Sequence, residues 1–323
     1  MAKLMKLFTP TQIKEVLTAH PTDRAAASEF TRLSGKGISR QLTRYWREVF
    51  ITNAGSQAKA DKALREQMRL ISPSPEDDIG DLSFIPDCAE RILFITDLHA
   101  PYTHPDYLDF CKAVAAEVQP DLVVQAGDEV DQHSISFHDS DPNLDSAGAE
   151  LEKAKSMLEQ WHTAFPNLLL CNSNHGSLIY RRAKAHGLPV QYIKKYRDVL
   201  FPEHGAPGWS WRDGWKINTP LGLILFKHQA SGDVVADAAH EGCNVAVGHE
   251  HGQFKIGYAA SSTRLYWGMV AGCGIDRKSL AFAYGKHTKN KPMLGCAVIM
   301  NGEPVLVPMV MDETGRWVGA KNE

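Results

Sequence analysis

The run Ile92-Leu93-Phe94-Ile95-Thr96-Asp97-Leu98-His99 decides the fold. Its first five residues read as a short apolar strand, and the strand then ends in an aspartate and a histidine that an ordinary loop would not require. The same event recurs twice downstream. Leu122–Ala126 runs into Gly127-Asp128-Glu129-Val130-Asp131, and Leu168–Cys171 into Asn172-Ser173-Asn174-His175-Gly176. Helical stretches, Tyr107–Val118 and Ala149–Ala164, separate these strands, which is the signature of βαβ units. Ligands of open α/β sheets bind at the carboxyl ends of the strands, so the three polar loops are expected to converge.

Two later segments add imidazoles. His228 closes the strand Leu223–Lys227, and Gly248-His249-Glu250-His251 follows the strand Val245–Val247. From about Lys216 helices become rare. Lys216–Asn218 and Leu223–Lys227 flank Thr219-Pro220-Leu221-Gly222 as a hairpin, and Phe254–Gly257, Leu265–Trp267 and Ala297–Met300 read as further strands. They predict a second, more antiparallel sheet. The expected fold class is α/β, with two packed mixed β-sheets flanked by helices, plus a small all-α N-terminal domain.

In this order, D-x-H, G-D-x-x-D, N-H, an isolated His and G-H-x-H, the chain resembles the calcineurin-like metallophosphoesterases. The resemblance covers residues 91–251, about half the chain. Four of the five elements match. The third departs, with Ser173 where the family has Gly and Gly176 where it has an acidic residue. The resemblance implies that Asp97, His99 and His251 hold one metal, that Asn174, His228 and His249 hold the other, and that Asp128 bridges both. Carboxylates neutralise charge, neutral imidazoles suit transition metals, and an amide oxygen ligates without adding charge. Two divalent ions are implied, Mn first, with Fe, Zn or Ni as alternatives. Such a pair binds phosphoryl oxygens and turns a water into a hydroxide nucleophile. His175 would then protonate the leaving oxygen, oriented by Asp131, as in the phosphatase branch whose G-D-x-V-D this chain matches. Arg181 and Arg182 follow the Asn-His loop and are candidates for binding a substrate phosphate, against the alternative of a solvated helix face.

Composition sets the surroundings of that centre. Hydrophobic residues make up 43% and charged residues 23%, with no apolar run near the ~20 residues that span a bilayer. No signal peptide is read at the N-terminus, and six scattered cysteines without a CxxC pair are expected to be reduced and mostly buried. A cytoplasmic enzyme that contacts no membrane is the expectation. Charge is divided unequally: residues 1–70 hold 13 Lys/Arg against 6 Asp/Glu, a net of +7, so with the whole chain at −3 the remainder carries −10.

Residues 1–70 read as a helical module. Thr9-Pro10 caps a first helix carrying Ile13, Val16 and Leu17. Thr22 caps a second that turns Ala26, Ala27, Phe30 and Leu33 inward, and Gly35-Lys36-Gly37 makes the turn. The third helix, from about Ile38, buries Leu42, Tyr45, Trp46 and Val49 and shows Arg40, Arg44 and Arg47 outside. The arrangement resembles a helix-turn-helix, which implies contact with DNA or RNA; a packing or homo-oligomerisation appendage is the alternative. A further helix, Ala58 to Leu70, leads into a linker over residues 71–85 centred on Ser72–Asp78, and residues 86–323 form the catalytic domain.

His104, His133, His138 and His240 are taken as surface residues, the first two near enough to line the pocket. Trp209, Trp211 and Trp215 pack over a sheet edge or, alternatively, stack on bases. The expected activity is hydrolysis of phosphomono- or phosphodiesters, on nucleic acid or nucleotides. Asp131 leans away from the DNA-repair nucleases, which often have His there. The alternatives are a DNA-binding regulator or scaffold on the same fold, and a small-molecule or protein phosphatase with a dimerisation appendage.

Overall fold

The computed structural model describes residues 4, 7–47, 50, 51, 78–137, 141–282 and 291–321. The chain divides into two compact units, Met1–Pro73 and Ser74–Glu323. The expected Ala58 to Leu70 helix, most of the Ser72–Asp78 linker, Val49 and His138 lie outside the described residues.

In the first unit three helices form, α1 (Pro10–Ala19), α2 (Asp23–Ser34) and α3 (Arg40–Arg47). Thr9 and Gln12 make a reciprocal capping box at the start of α1, which satisfies amides that have no partner within the helix. Leu4, Ile13, Leu17, Ala26, Phe30 and Ile38 form the buried core, with Leu42 and Trp46 against it. Three expectations fail. Leu33 and Tyr45 are exposed, at 47% and 43%. Arg47 is not a solvated arginine: its guanidinium donates to the Asp23 carboxylate at 2.7 Å and to the carbonyls of Leu17 and His20. It clamps the end of α1 to the start of α2.

The second unit holds two sheets. Strands β1 (Arg91–Ile95), β2 (Leu122–Gln125), β3 (Leu168–Cys171), β4 (Trp209–Arg212), β5 (Gly214–Thr219), β6 (Gly222–Lys227), β7 (Asn244–Val247), β8 (Phe254–Ala260), β9 (Leu265–Ala271), β10 (Gly295–Met300) and β11 (Glu303–Pro308) follow in order. The larger sheet has the order β11-β10-β1-β2-β3-β4 and the smaller β5-β6-β7-β9-β8. Neighbours from β1 to β4 run parallel, linked by α4 (Tyr107–Val118), α5 (Ala147–Ala164), α6 (Leu178–Ala185) and α7 (Tyr196–Leu200).

Successive side chains of β1 point to opposite faces, and both faces are covered. Leu93 and Ile95 pack with Phe110, Val114, Leu158 and Trp161 of α4 and α5. Ile92 and Phe94 pack with Ile217, Ile224, Phe226 and Met269 of the other sheet, Phe94 and Phe226 with ring centres 5.2 Å apart. Fully burying each such side chain is worth ~1.5–3 kcal/mol. The smaller sheet buries Leu225, Val245 and Val247 under α8 (Val234–Glu241). The layers therefore run helix, sheet, sheet, helix, and the fold is α/β with two packed mixed sheets.

The smaller sheet is less antiparallel than its sequence suggests: β6, β7 and β9 pair in parallel. Helix α8, between β6 and β7, is the reason, since a parallel return requires a crossover. Trp209 and Trp211 lie in β4, at the edge of the larger sheet, and Trp215 in β5. All three are buried and their indole N–H groups donate to the Phe165 carbonyl, Glu129 and the Leu170 carbonyl. They pack and are closed to bases. Residues 78–81 lie on β4, where Asp78 and Trp211 exchange backbone hydrogen bonds and Arg197 donates to the Asp78 carboxylate at 2.9 Å. No helix among the described residues is long and apolar enough to cross a membrane. Five cysteines are buried and Cys88 is exposed, all reduced.

Candidate metal centre

All seven positions singled out as ligands come together where β1, β2, β3, β6 and β7 end. Two of the described acid and histidine groupings share one residue: Asp97, His99, Asp128 and His251 form the first, and Asp128, His228 and His249 the second. In the first, His99 Nε2 lies 3.1 Å from His251 Nε2 and 3.5 Å from Asp128 Oδ2, and His251 Nε2 lies 3.2 Å from Asp97 Oδ2. In the second, His228 Nε2 lies 3.4 Å from Asp128 Oδ2, 3.1 Å from His249 Nδ1 and 2.6 Å from Asn174 Oδ1. Donor atoms around one ion with ~2.1 Å bonds stand roughly 3.0–3.4 Å apart, so most of these spacings suit a shared cation.

Hydrogen bonds behind the cluster fix which ring nitrogens face inward. His99 Nδ1 meets Asp131 Oδ1 at 2.6 Å, and His228 Nδ1 meets the Ala126 carbonyl at 2.9 Å. Both Nδ1 atoms must donate to these oxygens, which directs each Nε2 at the cluster with a lone pair. There Nε2 meets oxygens and other ring nitrogens. Each lone pair is satisfied by a second proton, by the N–H of the facing ring, His251 or His249, or by a cation, and only a cation also satisfies the oxygens beside it. For His99 the proton is disfavoured, because burial, with the neighbouring His175, pulls its pKa down despite Asp131. Asp97 Oδ1, fully buried, accepts no hydrogen bond from the protein. An acceptor buried without a donor is costly unless a cation faces it. The residues present thus fit divalent metal.

Asp128 is held so that one oxygen points between the groupings. Its Oδ1 accepts from the His175 amide at 3.1 Å, leaving Oδ2 toward both His99 and His228. Burial works to raise its pKa, but the facing His228, His175 and His99 hold it well below the usual carboxylate range.

The backbone is bent to make this possible. His99, Asp128 and His249 all have positive φ, at 52°, 54° and 65°, a region that non-glycine residues occupy at a cost and mostly where function demands it. Two motif glycines have a steric reason as well. A Cβ on Gly127 would meet the Cys171 carbonyl at 2.6 Å and His228 Nδ1 at 3.0 Å. One on Gly248 would meet Asp97 Oδ1 at 2.3 Å. The departure at Ser173 closes the third loop by its own chemistry: the hydroxyl accepts the Gly176 amide at 3.0 Å.

His175 stands beside the cluster, its ring centre 4.6 Å from that of His99. Its Nδ1 donates to the backbone carbonyl of Asp131, while the Asp131 carboxylate goes mainly to His99. Asp131 therefore positions both imidazoles, one by each polar group. Burial opposes protonation of His175, but Asp128 and Asp131 outweigh it and raise its pKa.

The arginines divide. Arg182 is committed to the carbonyls of Ile135 and Ser136 and lies over the Phe137 ring, so it braces a loop. Arg181 is exposed and reaches the Asn174 carbonyl at 3.3 Å.

His104 and His133, read as surface residues, are buried. His104 bonds the Gly315 carbonyl at 3.0 Å, and His133 accepts the Asp141 amide at 3.2 Å; both anchor loops. His240 is exposed as expected. Two contributors were missed. Phe282 sets its ring edge-on to His99 with centres 5.5 Å apart, and no motif marks it. Glu150, in the first turn of α5, accepts the amides of His133 and Ser134 and so pins the loop after Asp131.

No protein-family model matches the chain, and no curated protein does. Among solved structures, the chain is similar to Vacuolar Protein Sorting 29 from Cryptosporidium parvum, at 12% identity over 68% of this chain and 96% of that one, TM-score 0.35. It is also similar to Chaetomium thermophilum Vps29, at 10% identity over 72% and 93%, TM-score 0.35. A third is Yfce, a phosphoesterase from E. coli, at 9% identity over 67% and 99%, TM-score 0.33.

Proposed function

We propose that the second unit hydrolyses phosphate esters with two divalent metal ions. The observation that carries this is Asp128 Oδ2, which lies 3.5 Å from one inward-facing imidazole nitrogen and 3.4 Å from another belonging to a separate ligand group. Asp97, His99 and His251 would hold one ion, Asn174, His228 and His249 the second, and Asp128 both. Such ions supply Lewis-acid polarisation of the phosphoryl group and a water of lowered pKa. Imidazole, carboxylate and amide donors without a thiolate suit Mn best, with Fe, Zn or Ni as alternatives.

The chain's own groups complete the reaction. A bond forms from the water oxygen to phosphorus as the phosphorus–oxygen bond to the leaving group breaks; the water's proton passes to solvent, and the leaving oxygen takes its proton from His175, which solvent then reprotonates. The raised pKa of His175 suits a general acid. Asp131 holds the ring by its carbonyl. The presence of every donor favours turnover over a scaffold role. Lys36, Arg40 and Arg44 are exposed around the start of α3, which supports nucleic acid as the substrate class, bound in part by residues 1–70.

Hydrolysis of bis-p-nitrophenyl phosphate with added Mn tests the centre. Asp128→Ala and His249→Ala should each abolish Mn-stimulated turnover; unchanged turnover in either would sink the assignment.

A further inference from the structure

The segment that follows His175 differs in charge from the unit around it. Residues 178–197 hold six Lys/Arg and no Asp/Glu, within a remainder of the chain that carries −10. Two of the six are half-buried: Arg182 braces the Ile135 and Ser136 carbonyls, and Arg197 binds Asp78 and the Gly205, Ala206 and Trp209 carbonyls. The other four, Arg181, Lys184, Lys194 and Lys195, are exposed.

Apolar side chains that left the core are interleaved with them. Ile179 is 39% exposed, Val190 41%, Leu188 55% and Tyr192 82%. A scattered exposed leucine needs no explanation. Four exposed apolar side chains and four exposed cations in a segment whose sequence contains no acid do not follow the mixed-charge pattern of a solvated helix.

The surface begins at the metal centre. The Leu178 amide donates to the His175 carbonyl at 2.9 Å, and Arg181 reaches the carbonyl of Asn174. From there the eight residues of α6 extend about 12 Å at ~1.5 Å per residue. Beyond lie Leu188, Val190 and Tyr192, then Lys194 and Lys195.

Resting on the phosphoesterase reading, we propose that residues 179–195 form a track for single-stranded nucleic acid whose scissile phosphate sits at the metal centre. Arg181, Lys184, Lys194 and Lys195 face its phosphates, and Tyr192 stacks on an unpaired base. Cations tracking a backbone beside exposed aromatic rings are how single strands are held without sequence readout. A duplex keeps the faces of its bases stacked inside and offers Tyr192 nothing comparable.

The test uses the full chain with added Mn and a fluorescent oligothymidine, with Tyr192→Ala and the double change Lys194→Gln, Lys195→Gln. Tyr192→Ala should weaken oligonucleotide binding about 5- to 150-fold, the loss of one stacked base. The double variant should reduce the magnitude of the slope of log affinity against log salt by about 1.4, at ~0.7 per phosphate contact. Both should hydrolyse bis-p-nitrophenyl phosphate at the unaltered rate, since neither change touches the metal cluster. Unchanged oligonucleotide affinity and slope alongside intact small-diester turnover would overturn the track. Equal losses on a blunt duplex, or on a phosphopeptide, would overturn it too. Absence of small-diester turnover in the unaltered chain would instead sink the phosphoesterase reading beneath it.

Discussion

Gly248→Ala adds one methyl group at the most crowded point of the centre. The new Cβ would lie 2.3 Å from Asp97 Oδ1 and 2.8 Å from the Ala126 Cβ. Ordinary contact begins near 3.4 Å, so Asp97 must retreat by about an ångström, yet its other oxygen is held by the His249 amide at 2.6 Å and the side chain is fully buried. Overpacking of this kind costs ~1–3 kcal/mol. In a unit spanning Ser74–Glu323, each kcal/mol moves Tm by roughly 2–4 °C, so Tm should fall by about 2–12 °C. Displacing Asp97 should also weaken Mn binding by ~10–100-fold, the range seen when ligand support is lost. Gly232→Ala is the control, because a Cβ there meets nothing within 4 Å, and it should stay within ~0.5 kcal/mol. Calorimetry with Mn titration measures both effects. A Gly248→Ala protein with unaltered Tm and Mn affinity would refute the claim that Asp97 and Gly248 share that space.

Replacing His175 by Ala should lower turnover by ~10²–10⁴-fold while elemental analysis finds the metal content unchanged; lost metal would show that His175 is a ligand. Asp106 gives a pH dependence. Hydrogen bonds from Arg316 hold its carboxyl below the usual range, although burial pushes the other way. A carboxyl depressed in the folded state contributes stability that is complete above its unfolded pKa of ~3.9 and lost as pH falls through the folded value. The Tm difference between the unaltered protein and Asp106→Asn should therefore be constant near neutrality and shrink below about pH 4. A difference that ignores pH would place the role of Asp106 in packing.

The ligand set was legible because each donor follows a strand end within a few residues, at Asp97 and His99 after β1, at Asp128 after β2 and at Asn174 after β3. Local order along the chain maps onto one edge in space when strands are parallel. What failed to show was long-range. Arg47 fits the polar face of its own helix and only the approach of Leu17, His20 and Asp23 draws it inward. Trp209 and Trp211 look like an aromatic insertion until β3 pairs with them. Phe282 reaches His99 from far along the chain, with no local signature at either residue. Helix α8 had a signal that was passed over: Asp233 caps its first turn and Gly242, at φ 68°, ends it.

Anomalous scattering from crystals grown with Mn tests the central claim most directly. Two peaks are expected, one among Asp97, His99 and His251 and one among Asn174, His228 and His249, with Asp128 Oδ2 bound to both. A single peak, or two peaks without Asp128 between them, would contradict it.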